Sequence, residues 1–123
     1  MAIATGQQIL AADVLAIRNI FHELANAVLT KVTAAGGANW GDWDISAVVG
    51  AKVVAVEVRF WSNANGQLGG VRQNGSAVEH SQVNKGAPGS LTMTCYTDAA
   101  GIIEVLDGAQ ANQYNVMGYW ANT

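Results

Sequence analysis

The first third of the chain carries apolar residues at the spacing of a helix. Residues 13–33 contain no Gly or Pro, and apolar side chains recur three or four positions apart. This spacing lines side chains along one stripe of an α-helix. Asp13 is placed to cap the N-terminus of the helix, and Gly36 and Gly37 are placed to end it. The stripe consists of Val14, Ile17, Phe21, Leu24 and Val28.

After Gly37 the pattern changes to the period of two that is typical of β-strands. Residues 52–62 are the clearest case, with Val or Phe at every second position from 54 to 60. Further short strands are predicted at 43–49, 68–73, 91–97, 101–106 and 113–120, separated by turns rich in Asn, Asp and Gly. No helical pattern lies between them, which favours antiparallel pairing. We therefore predict a mainly β chain, in which one amphipathic, heptad-patterned α-helix precedes an antiparallel β-sandwich or a jelly-roll-like barrel.

This pattern divides the chain into two parts and predicts a core. Residues 1–37 form an N-terminal arm with an oligomerisation or docking helix, and residues 38–123 form the β-sandwich domain. The apolar side of each strand is expected to face inward. The predicted core comprises Val54, Val56, Val58, Phe60, Leu91, Met93, Cys95, Ile103, Val105, Val116 and Trp120.

The composition adds the expectation of an oligomer. The chain has 123 residues and a mass of 12.8 kDa, the size of one domain. Only 12% of its residues are charged, against about 25% in a typical soluble domain. Apolar surface that charge does not cover is often buried between copies. The helical stripe is too wide for a two-helix seam, so we predict a homo-oligomer, with a trimer favoured over a dimer. The alternative is a monomer whose helix packs on its own sandwich.

Charge and cysteine content exclude several classes of partner. The net charge is −3 and the sequence has no basic cluster, which argues against binding to nucleic acid. The single cysteine, Cys95, forms neither an intrachain disulfide nor a multi-cysteine zinc site. The N-terminus lacks basic residues followed by a long apolar run. We therefore expect no signal peptide and no membrane insertion.

The sequence lacks the usual patterns of catalytic and metal sites. His22 and His80 do not have the spacing of metal ligands. Cys95 lies on the apolar side of its strand and is interpreted as an inert core residue. Asp42 and Asp44 are the closest pair of carboxylates in the sequence. They are interpreted as turn or capping groups rather than a catalytic dyad. We therefore predict a protein that is not an enzyme and holds no metal or cofactor.

One predicted strand side combines an aromatic ring with charge. Trp61 shares the mixed side of residues 52–62 with Glu57 and Arg59, and Tyr96 lies on the side of its strand opposite to Cys95. Exposed rings of this kind stack on a sugar or pack against a partner protein. Glu57, Arg59, Trp61 and Tyr96 are therefore the candidate ligand or partner face.

Three segments resemble small structural proteins of tailed-bacteriophage virions, such as head-decoration proteins, head-fibre proteins and knob modules of tail fibres. The lead-in ATGQQILAAD at 4–13 is similar to the segment that precedes a helix in those proteins. WDIS at 43–46 with VGA at 49–51 resembles the first hairpin of their sandwich domains, and TDAAG at 97–101 with VMGYW at 116–120 resembles a later hairpin and the closing strand.

The resemblance implies a non-enzymatic virion component, a capsid decoration or a fibre tip, that forms homo-oligomers and attaches to capsid or tail proteins. It implies a location in the virion after synthesis in the host cytoplasm. The alternative function is a receptor-binding module that recognises a glycan on the host cell surface.

Overall fold

The computed structural model describes residues 20–24, 29–33, 39–62, 66–84, 89–108 and 112–121. These residues form nine β-strands and one short helix. The strands are β1 (Ile20–Glu23), β2 (Thr30–Val32), β3 (Trp40–Asp44), β4 (Ala55–Ser62), β5 (Gln67–Gln73), β6 (His80–Asn84), β7 (Gly89–Tyr96), β8 (Ile102–Leu106) and β9 (Gln113–Ala121), and helix α1 is Ser46–Val49.

The strands form two antiparallel sheets. In the first sheet β9 pairs with β1 and β2 on one side and with β4 on the other, and β4 pairs with β7 at the opposite edge. The second sheet has the order β3-β8-β5-β6. One core contains side chains from both sheets, so the two sheets pack face to face as a β-sandwich.

The chain moves between the sheets in a regular order. From β2 onward each strand lies in the other sheet from the strand before it, except that β6 follows β5 in the second sheet. With β1 and β2 taken together as one interrupted edge strand, this is the strand order of an eight-stranded jelly roll. The order places β6 and β7, which are consecutive, at neighbouring edges of different sheets.

The predicted N-terminal helix is wrong. Within residues 13–33 the described parts are strands, because β1 and β2 both pair with β9. Phe21 lies in β1 and is 38% exposed, whereas Leu24 follows β1 and packs partly buried against the core. Val14, Ile17 and Val28 lie outside the described residues. The α-helix found in the described part of the chain is α1, which has four residues.

Sheet pairing explains why the helical spacing misled. Four residues of β1 are too few to separate a strand from a helical turn by periodicity, and tertiary pairing overrides weak local preference. The backbone of this segment bonds to β9 and continues beyond β1, because the Leu24 amide donates to the Met117 carbonyl at 3.0 Å. The boundary near residue 37 falls in 34–38, outside the described residues, and strands on both sides of it belong to the sandwich. Contact between copies through Val14, Ile17, Phe21, Leu24 and Val28 stays a prediction, but not as a seam between helices.

The core follows the predicted alternation with two exceptions. Val56, Val58 and Phe60 of β4 are fully buried, and Val54, Met93, Cys95, Ile103, Val105 and Val116 are buried with them. Leu91 is only half-buried, and Trp120 is half-buried on the other side of its sheet. Gly69 makes room for the Phe60 ring, because a Cβ at residue 69 would collide with that ring.

The predicted strand at 43–49 is only half correct. β3 ends at Asp44 and is followed by α1, in which Val49 is buried. The Ser46 amide donates to Asp44 Oδ1 at 2.9 Å, and Ile45 beside it is fully buried. The Asp44 side chain therefore forms a turn at the start of α1, which agrees with its interpretation as a turn or capping group.

Tyr114 and Asn112 carry polar groups from the first sheet into the second. The Tyr114 hydroxyl donates to the Leu106 carbonyl at 2.7 Å and accepts from the Gly70 amide at 3.0 Å. Asn112 Nδ2 donates to the Leu68 and Leu106 carbonyls, both at 3.0 Å. The paired register of β5 and β8 covers only Val71 to Gln73. The two side chains therefore satisfy backbone groups of β5 and β8 beyond the end of that ladder.

The Tyr114 hydroxyl is expected to contribute measurably to stability. Tyr114→Phe leaves the Gly70 amide and the Leu106 carbonyl without this partner in a buried place, which costs about 1 to 3 kcal/mol. The measurement is urea unfolding, with a lower midpoint and an unchanged slope. Tyr96→Phe is the matched control, because Tyr96 is 59% exposed, and it is expected to change stability by less than about 0.5 kcal/mol. Equal stability of the two variants would contradict the assigned role.

Candidate functional site

The outer face of the first sheet is the surface on which the predicted site residues lie. On β4, Val56, Val58 and Phe60 point into the core, so Glu57, Arg59 and Trp61 point outward. All three are half-buried, because β4 lies between β7 and β9. The prediction that they share one side of a strand agrees with this arrangement.

Tyr96 belongs to the same face but to another row of it. Tyr96 pairs with Ala55, Ala55 pairs with Trp120, and Trp120 pairs with Phe21. The row therefore crosses four strands, with neighbours about 4.8 Å apart. The rings of Phe21 and Trp120 are in contact, with centroids 4.7 Å apart. We call Phe21, Trp120 and Tyr96 the aromatic row.

A β-bulge in β9 puts Trp120 on this face. Val58 pairs with Val116 but Glu57 pairs with Gly118, so Met117 is an extra residue in β9. The extra residue reverses the alternation beyond it. Trp120 consequently leaves the core side, where simple alternation placed it, and Tyr119 packs partly buried against the core instead. The sequence pattern assigns Trp120 to the core and Phe21 to the helical stripe, and it places neither residue on this face.

A glycine beneath the aromatic row completes its packing. A Cβ at Gly118 would collide with the ring of Phe21, so the ring lies directly against the backbone of β9. One residue along β1, His22 stacks on Tyr119 with centroids 4.9 Å apart. The Nε2 atom of His22 is buried and has no hydrogen-bond partner among the described residues. Both contacts attach β1 to β9 by ring packing in addition to backbone pairing.

The middle of the face is polar. Arg59 Nη2 donates to Asn115 Oδ1 at 3.1 Å, and Asn115 Nδ2 donates to Thr30 Oγ1 at 2.6 Å. Gln113 Nε2 also donates to Asn115 Oδ1, at 3.2 Å. Asn115 is 2% exposed, and it is a further residue of the face that the sequence did not identify. This network holds the Arg59 guanidinium over β9.

Two polar groups of the face lack a partner among the described residues, and one of them is accessible to a ligand. Glu57 lies beside Arg59 on β4, yet the guanidinium bonds to Asn115, and within the described part of the chain Glu57 has no hydrogen-bond or ion-pair partner. Arg59 Nε is buried and unpartnered. The half-buried carboxylate of Glu57 therefore remains as an acceptor between the aromatic row and Trp61, whereas the buried Nε lies out of reach of a ligand.

The outer face of the second sheet carries a cluster whose charges are already paired. Arg72 lies 4.3 Å from the centroid of the Trp40 ring and forms an ion pair with Glu104 at 2.7 Å. The Gly75 amide donates to the other oxygen of Glu104 at 3.0 Å. This backbone bond, with Arg72, lowers the pKa of the Glu104 carboxyl. Because its partners lie within the cluster, we interpret it as structural.

The remaining candidate chemistry is dispersed. Among the residues that the structure describes, no three His, Cys, Asp or Glu side chains form a group suited to a metal ion. In the same residues no helix is long and apolar enough to cross a membrane. His80, interpreted from sequence as a loop residue, begins β6. Asp42 is exposed on β3.

Comparison with known proteins found no matching family model, no matching curated protein and no matching solved structure.

The buried state of Cys95 leads to a prediction about alkaline pH. Burial raises the pKa of the Cys95 thiol to about 12, whereas an unfolded thiol has a pKa of about 8.5. The folded state therefore holds this proton more tightly. The resulting stability is present below about pH 8.5 and is lost as the pH rises from there toward 12.

We expect the unfolding free energy to fall less steeply with pH in Cys95→Ala than in the wild type between about pH 8.5 and 10. The two slopes are expected to differ by at most about 1.4 kcal/mol per pH unit. The measurement is urea unfolding at several pH values. In parallel, a thiol reagent is expected to label Cys95 much more slowly in the native protein than in denaturant. Parallel pH curves together with rapid native labelling would refute burial of this thiol.

Proposed function

We propose that the chain is a non-enzymatic structural protein of a bacteriophage virion, either a capsid decoration or a fibre-tip module, that binds its own copies and the particle through the outer face of the first sheet. The jelly-roll strand order supports the proposal, because this fold is common among viral capsid and lectin domains. Fold alone does not determine function, and the exposed side chains of the face provide the more specific support.

The observation that carries the proposal is the uncovered apolar surface of that face. Tyr96 is 59% exposed, Phe21 is 38% exposed and Val32, on the outer side of β2, is 62% exposed. Trp120 lies in the row of Phe21 and Tyr96, and Trp61 lies in the row of Val32, both half-buried. Exposed aromatic and apolar groups are common at protein interfaces, where Tyr and Trp carry much of the binding energy.

Self-association provides the first test. We expect the wild type to sediment as an oligomer at micromolar concentration. The double variant Phe21→Ser, Tyr96→Ser is expected to weaken association at least about tenfold, because each ring contributes more than about 1.4 kcal/mol when buried. Val78→Ser is the matched control, since Val78 is 68% exposed and lies outside this face.

Association with the particle provides the second test. The protein is expected to co-purify with intact phage particles through a density gradient, as detected by mass spectrometry. A wild type that sediments as a 12.8 kDa monomer and occurs only in the lysate fraction would refute the proposal.

A second candidate function is a receptor-binding module for a host surface glycan. Glu57 favours it, because its unpaired carboxylate lies on the same side of β4 as Arg59 and Trp61. Sugar sites combine a stacking ring with a few such polar groups. An interface formed only by protein packing has no need of an unpaired carboxylate.

Tryptophan fluorescence separates the two candidates. Titration with oligosaccharides of glucose, galactose, rhamnose and N-acetylglucosamine is expected to change the emission of the wild type. Trp61→Ala is expected to lower the affinity at least about tenfold, a loss of about 1.4 kcal/mol. Trp40→Ala, on the other sheet, is the matched control and keeps the affinity. A flat response to every sugar would exclude this second candidate and leave the first standing.

A further inference from the structure

We infer that the cleft between β6 and β7 is a binding site for one uncharged sugar unit. The inference rests on the second candidate function and adds a site that the sequence did not indicate. It starts from the jelly-roll order, which places these two strands at neighbouring edges of different sheets. They border a cleft of about 630 Å³, within the range of about 300 to 1,000 Å³ that is typical of small-molecule sites.

The two strands approach each other at one end of the cleft. Gln82 Nε2 of β6 donates to the Thr92 carbonyl of β7 at 3.3 Å. Beyond this contact, Glu79 and His80 line one side of the cleft and Thr94 and Tyr96 line the other. The cleft is therefore bounded at the Gln82 bridge and continues toward the start of β6 and the end of β7.

The floor of the cleft is apolar. Met93 and Cys95 line it, and they lie on the core side of β7, where they are only 4% and 3% exposed. They pair with Val58 and Val56, which are fully buried. This floor is the edge of the hydrophobic core, and the exposed ring of Tyr96 beside it provides a surface for the C–H face of a sugar ring.

The walls of the cleft are polar. His80 and Gln82 pair with Val71 and Gly69, the core-facing positions of β5, so both side chains lean toward the first sheet. Because the Thr92 carbonyl points toward β6, the ladder alternation directs the amide and carbonyl of Thr94 the same way. β7 is the edge of its sheet, so these backbone groups and the Thr94 hydroxyl are available to sugar hydroxyls.

Charge selects the class of ligand. The described residues that line the cleft include the carboxylate of Glu79 and no Lys or Arg. An anionic sugar would meet this carboxylate without a cation to offset it, whereas a neutral sugar offers hydroxyl donors to it. Tyr96 lines the cleft and also belongs to the aromatic row, so a longer glycan can run from the cleft onto the outer face.

The test uses monosaccharides, because a single sugar ring cannot bridge the cleft and the outer face. The methyl glycosides of glucose, galactose and mannose and free N-acetylglucosamine are titrated into the full-length ¹⁵N-labelled protein at millimolar concentration. We expect at least one sugar to shift the backbone amides of Gln82 and Thr94. The indole N–H signals of Trp61 and Trp120 report binding to the outer face separately.

Variants identify the cleft as the cause of the shifts. His80→Trp fills the cleft and is expected to abolish the shift at Thr94. Thr94→Val keeps the shape, removes one hydroxyl and is expected to lower the affinity about tenfold. Tyr96→Phe keeps the ring and retains binding, whereas Tyr96→Ala weakens it. Val78→Ala is the control for a change outside the cleft, and a folded amide spectrum is required of each variant.

Each result decides between the proposals. Shifts confined to the indole N–H signals of Trp61 and Trp120 would overturn the cleft site and leave glycan binding on the outer face in place. Shifts at Thr94 that persist in His80→Trp would also overturn the cleft site. No shift with any of the four sugars would overturn the cleft site. The glycan site on the outer face is tested separately, by the oligosaccharide titration.

Discussion

The arrangement of the sandwich depends on buried hydrogen bonds that the first sheet makes to the backbone of the second. Tyr114 and Asn112 are both fully buried, and their side chains bond to the Leu106 carbonyl beyond the paired part of β5 and β8. Buried backbone groups without partners are costly, so these two side chains can occupy few other positions. They hold β9 at one place across the second sheet. Because β9 pairs with β1, β2 and β4, they also position the rest of the first sheet.

A single inserted residue then decides what the outer surface presents. Met117 is extra in β9, and residues on its two sides face the core in opposite phase. Before the bulge Tyr114 and Val116 point inward, and beyond it Trp120 points outward onto the ring of Phe21. The glycine at 118 is needed under that ring. The aromatic row is therefore a product of the bulge and of β1, and neither local pattern alone accounts for it.

Two surfaces of different character meet at Tyr96. The outer face joins exposed rings to a polar centre in which Arg59 bonds to Asn115 and leaves Glu57 free. The cleft at the sheet edge joins an apolar floor to polar walls. Protein partners and sugars both use rings with adjacent polar groups. What separates them physically is the unpaired carboxylate of Glu57, which gains more from a hydroxyl-rich ligand than from an apolar surface.

By itself the sequence determined the features that depend on the alternation of neighbouring residues. The apolar side of β4, the burial of Cys95 between the sheets, and the common side of Glu57, Arg59 and Trp61 all follow from a side-chain period of two. Tertiary structure decided whatever depends on residues far apart in the chain. Residues 20–23 lie in a stretch whose apolar spacing suits a helix, yet they form β1 because β9 offers them a partner edge. The extra residue at 117 became visible only through its pairing with β4. The cleft exists because the jelly-roll order separates β6 from β7, and no local pattern in either strand records that separation.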